Sequence, residues 1–109
     1  MKKSLLSVYW PLLKAICLIK NKSCQRTVLR HLRKDKQFVT LLQEISENTV
    51  RQNIRLSKRD KLRLEKHADI IRALKKQRKV DQAGGFLGVI VPILAAEIFD
   101  LITRKDEQS

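Results

Sequence analysis

The sequence predicts an all-α protein: a small bundle of about four helices, then a C-terminal apolar helix after a Gly84-Gly85 hinge. Three observations lead there. Apolar residues recur at spacings of three and four along most of the chain, and no stretch alternates as a strand does. The glycine pair separates two compositions. Residues 1–80 hold 22 Lys and Arg against six Asp and Glu (net +16), and residues 81–109 hold two against five (net −3). Finally, 109 residues suffice for one small domain with a modest core.

The elements follow in order. Leu5, Tyr9, Leu12, Ile16 and Ile19 form the stripe of a first amphipathic helix, in which Pro11 predicts a kink or a start near that residue. Val28, Leu29 and Leu32 make a shorter second stripe among Arg26, Arg30, Arg33 and Lys34. In the third helix Phe38, Leu41, Leu42 and Ile45 share one face, Glu44 and Glu47 the other, and Asp35 stands where an N-cap belongs. Residues 48–56 lose the periodicity and read as a connection. Ser57-Lys58-Arg59-Asp60 is a variant capping box. It opens a long fourth helix from Lys58 to about Gln77, whose buried stripe is Leu64, Ala68, Ile71 and Leu74. The chain thus divides into a basic helical domain (1–80), a glycine hinge (81–85) and an apolar amphipathic segment (86–109).

A net charge of +13 and a pI near 10.3 call for a polyanionic partner: nucleic acid, an anionic membrane face or an acidic protein. Cys17 and Cys24 have no zinc-type spacing, so neither a metal nor a structural disulfide is expected, and no cofactor. His31 and His67 lie among cations, where imidazole gains nothing as a base. No carboxylate pair, nucleophile elbow or phosphate loop is present, so an enzyme is not expected. Met1-Lys2-Lys3 before apolar residues has the order of a signal peptide, but Lys14 interrupts the apolar stretch and no small-x-small site follows. No uncharged apolar run reaches 18 residues, which disfavours a membrane span.

The candidate nucleic-acid contacts are Lys58, Arg59, Lys61, Arg63, Lys66, Arg72, Lys75, Lys76, Arg78 and Lys79, set against only Asp60, Glu65 and Asp69. Such a helix can lie along phosphates and release counterions without reading sequence. Phe86, Leu87, Ile90, Ile93, Leu94, Ile98, Phe99, Leu101 and Ile102 are the candidate membrane or partner contacts. As a helix this segment is about 25 Å long, short of the roughly 30 Å hydrocarbon core. Glu97, Asp100 and Arg104 give it one polar stripe, the pattern of an interfacial or groove-packed helix. Gln82, Gly84, Gly85 and Phe86 also fit the site of a protease with a narrow channel, cutting after Gly85. A helix stop followed by a hinge accounts for the same residues.

Four stretches together resemble a known family. They are residues 41–48 (Leu-Leu-Gln-Glu-Ile-Ser-Glu-Asn), 53–57 (Asn-Ile-Arg-Leu-Ser), 71–76 (Ile-Arg-Ala-Leu-Lys-Lys) and 82–88 (Gln-Ala-Gly-Gly-Phe-Leu-Gly). In this order they are similar to small basic proteins of Polinton/Maverick elements and the related adintoviruses. The resemblance implies a virion core or internal capsid component, akin to an adenoviral core protein or membrane-active precursor. It implies DNA and capsid proteins as partners, the virion and host nucleus as location, and maturation by an adenovirus-like cysteine protease after Gly85. Gln82 departs from the Leu, Ile or Met more usual in that protease's site. The expectation is therefore a non-enzymatic virion protein that binds DNA without sequence preference and whose C-terminal helix contacts capsid or membrane. A membrane-active peptide precursor and a host regulatory DNA-binding protein are the alternatives.

Overall fold

In the computed structural model the backbone is described for residues 5–51 and 54–108, and the side chains of that set up to residue 96. These residues form six α-helices and no strand: α1 (Leu5–Leu18), α2 (Lys22–Leu32), α3 (Lys36–Val50), α4 (Lys58–Glu65), α5 (Ala68–Lys75) and α6 (Gly84–Gln108), with a 3-10 turn at Val80–Gln82. The all-α expectation holds, and the count of helices does not.

Local chemistry sets most of the boundaries. Asn21 opens α2 by accepting from the Ser23 and Cys24 amides (2.9 and 3.1 Å). Asp35 opens α3 by accepting from those of Gln37 and Phe38 (3.0 and 3.2 Å). Ser57 opens α4, its hydroxyl accepting from the Asp60 amide at 3.1 Å. Each oxygen satisfies donors that the first turn of a helix leaves free. Pro11 lies inside α1, which runs through it. Helix α3 is longer than its periodicity suggests: residues 48–50 stay helical, and the Thr49 hydroxyl is buried by donating to the Ile45 carbonyl at 2.8 Å.

Two expectations are corrected. The long fourth helix breaks at Lys66–His67 into α4 and α5. The break lets α4 pack on α6 while α5 packs on α3, which one straight rod does not do. Leu64, Ile71 and Leu74 are still buried, so the stripe survives the corner. Helix α5 ends in a Schellman turn: the Arg78 amide donates to the Ala73 carbonyl (2.8 Å) and that of Gln77 to Leu74 (2.9 Å). Gln77 takes the left-handed position (φ 60°) usually given to glycine. Its side-chain amide donates to Gln43 Oε1 (3.0 Å), and Gln43 donates to the Lys75 carbonyl (3.0 Å). The helix stop therefore comes well before the glycines.

Gly84 and Gly85, expected as a hinge, form the first turn of α6, and neither has positive φ. They are glycines because other segments press on them. A Cβ at Gly84 would collide with the Gln25 side-chain amide, and one at Gly85 would lie 2.9 Å from His67 Cε1. Beyond them Phe86, Leu87, Val89, Ile90, Val91 and Leu94 enter the core beside Leu13, Leu29, Phe38, Leu41, Leu42 and Leu74. In this part of α6 only Gly85, Gly88, Pro92 and Ala96 are exposed, a narrow stripe of small residues. Pro92 lies on that stripe, so the carbonyl of Gly88, four residues back, faces solvent where water can serve it.

Candidate nucleic-acid interface

Nine of the ten candidate contact residues are exposed, and Lys75 is half-buried. They do not form one row. Because the helix breaks at Lys66–His67 and ends at Lys75, the cations are shared among separate surfaces. Lys61, Arg72 and Lys75 rim a groove of about 520 Å³ floored by Leu56, Leu64, Ala68 and Ile71. Arg63 and Arg55 flank another of about 370 Å³, alongside Val89, Pro92 and Ile93 of α6.

Arg78 and Lys79 belong elsewhere. They line a cleft of about 770 Å³ between the α5-to-3-10 connection and the turn joining α2 to α3, facing Arg33, Lys34 and Lys36. Those three were outside the set drawn from the sequence, whose signal was cation density along one helix. Their only sequence cue is the Arg33-Lys34-Asp35-Lys36 run between two helices.

The remaining site expectations fall as follows. Gln82 ends the 3-10 turn and is exposed, Gly84 is buried, Gly85 is exposed, and Phe86 is fully buried. A protease that cuts after Gly85 needs extended chain on both sides, so helix α6 must first open. Phe86, Leu87, Ile90 and Leu94, expected at a membrane or partner, are instead core residues, and Ile93 is half-buried against them. Ile98, Phe99, Leu101 and Ile102 continue the backbone of α6, and their side chains lie outside the described residues. Among the described residues no helix is long and apolar enough to cross a membrane, and no His, Cys, Asp or Glu group could hold a metal ion.

Two titrating groups are set by geometry. Asp35 carries the Tyr9 hydroxyl bond as well as its two backbone donors, which holds its carboxyl below the usual range. Burial pushes the Cys17 thiol up, beside the Leu87 carbonyl at 3.5 Å, whereas Cys24 is exposed. Comparison with known families, curated proteins and solved structures finds no match to this chain.

Proposed function

We propose that this protein is a non-enzymatic DNA-binding protein that neutralises and condenses packaged DNA without reading its sequence. The observation that carries this reading is the exposure of nine of the ten candidate cations, with Arg33, Lys34 and Lys36 joining Arg78 and Lys79 at one cleft. The net charge of +13 supports it, because such a chain repels itself until a polyanion neutralises it. The resemblance to the small basic proteins of Polinton elements and adintoviruses supplies the setting: a virion, with capsid proteins as neighbours and the protease acting on an opened α6. The membrane-active alternative would need Phe86, Leu87, Ile90 and Leu94 withdrawn from the core, which the folded chain disfavours.

The test is duplex binding against salt concentration, with sedimentation of the DNA as a second readout. The proposal expects log affinity to fall by about 0.9 per phosphate contact for each decade of salt, equally for unrelated sequences. It also expects DNA to pellet as charge neutrality is approached. A flat salt response, or one preferred duplex sequence, would overturn it.

A further inference from the structure

The cleft between the α2–α3 turn and the chain after α5 gathers Arg33, Lys34, Lys36, Arg78 and Lys79 against one carboxylate, Asp81. The geometry points to this cleft as an anchoring site for a short run of consecutive phosphates, from a nucleic-acid strand or a linear polyphosphate. The inference deepens the DNA-binding reading and rests on it only for the biological source of the phosphates.

Charge comes first. Five cations around one concavity repel each other, and Asp81 balances only one. The apolar walls at Val39 and Val80 concentrate that field in the cleft. A single carboxylate or phosphate leaves most of it unbalanced, so the fitting ligand is multivalent. Size agrees, since about 770 Å³ lies within the ordinary range of ligand clefts and admits several phosphate groups. Charge density separates ligand classes. A phosphate chain carries a charge every few ångströms, whereas an extended acidic peptide turns alternate carboxylates away.

The backbone adds an independent sign. Lys79 holds φ 56°, in the left-handed region that favours glycine. Glycine would relieve the backbone strain, yet a lysine is there, and its side chain lines the cleft.

The experiment measures binding of tripolyphosphate, a short oligothymidylate, a duplex of equal length and a short polyglutamate peptide. Three proteins are compared with the wild type. One is a cleft variant (Arg33→Gln, Lys36→Gln, Arg78→Gln), one an α4 variant (Lys58→Gln, Lys61→Gln, Arg63→Gln), and one Lys79→Gly. The cleft variant should bind tripolyphosphate at least about tenfold more weakly, and its oligothymidylate salt slope should be about two units shallower. The α4 variant should keep tripolyphosphate affinity within about threefold, because its cations lie outside the cleft. Lys79→Gly should melt higher and bind more weakly, which no folding defect can produce. Amide shifts of the wild type on adding tripolyphosphate should concentrate at residues 33–40 and 77–81.

Equal weakening by the two triple variants, shifts spread over the surface, or tighter binding of polyglutamate would each overturn the cleft. Tripolyphosphate binding that depends on the cleft, in a chain that ignores both DNA probes, would keep the site and remove the DNA-packaging function. DNA binding with equal losses in both triple variants would do the reverse.

Discussion

The Tyr9 hydroxyl donates to Asp35 Oδ2 at 2.7 Å, tying the middle of α1 to the residue that caps α3. The other oxygen of the same carboxylate accepts from the Gln37 and Phe38 amides, and the Tyr9 ring packs on Phe38 with centroids 5.7 Å apart. One carboxylate therefore starts a helix and docks another on it.

This pair makes stability pH-dependent at both ends. The Tyr9 bond, then the Phe38 amide, lower the Asp35 carboxyl, while the Asp35 bond raises the Tyr9 hydroxyl above its usual value. A lowered carboxyl contributes stability that is present above its unfolded value, about 3.9, and lost as pH falls through the folded one. A raised phenol contributes stability present below about 10 and lost as pH rises through its folded value. Urea midpoints should fall on both sides of a neutral plateau. Tyr9→Phe should lower the plateau, soften the acid fall and abolish the tyrosine part of the alkaline one. Parallel profiles for the two proteins would contradict the coupling.

The three glycines of α6 should respond differently to alanine. Gly84→Ala forces the Gln25 amide away, and Gln25 itself holds the Ile16 carbonyl at 3.0 Å, so a loss of about 1–3 kcal/mol is expected. Gly85→Ala meets only the movable imidazole of His67 and should cost less. Gly88→Ala meets nothing within 4 Å and should stabilise the helix by about 0.5–1 kcal/mol. Denaturant titrations of the three variants give the order. A hinge role for the pair would instead make Gly84→Ala and Gly85→Ala near neutral.

Ser46 is fully buried in α3, and its hydroxyl has no hydrogen-bond partner among the described residues. Removing an unsatisfied buried group is favourable when shape is kept, so Ser46→Ala should raise stability by about 1 kcal/mol. A loss of that size in the same titration would mean that the hydroxyl is satisfied.

Cleavage after Gly85 should track opening of the fold, because Phe86 is fully buried and both glycines are helical. An adenovirus-like cysteine protease should cut the native chain slowly. It should cut Leu13→Ala, a core variant outside the recognised residues, faster, in proportion to the lost stability while opening and closing outpace cutting. Fragment masses over time decide this. Rapid cutting of wild type, with α6 still protected from hydrogen exchange, would place a free hinge there after all.

Much of the architecture was legible because it is local. The caps at Asp35 and Ser57 and the stripe Phe38, Leu41, Leu42, Ile45 depend on residues within a turn or two of each other, and those appear where the pattern puts them. The corner at Lys66–His67 carries no proline, glycine or cap signal. It exists because α4 finds α6 and α5 finds α3, a choice made by packing partners elsewhere in the chain. Gly84-Gly85 was visibly special, but the reason lies in Gln25 and His67, whose approach only the folded chain reveals. The same holds for the cations. Their number and excess over carboxylates follow from composition, whereas Arg33, Lys34 and Lys36 meet Arg78 and Lys79 only because α2 packs against the 3-10 turn. Charge adds up along a chain in any conformation, but a binding site needs charges brought to one place, and that is the work of tertiary packing.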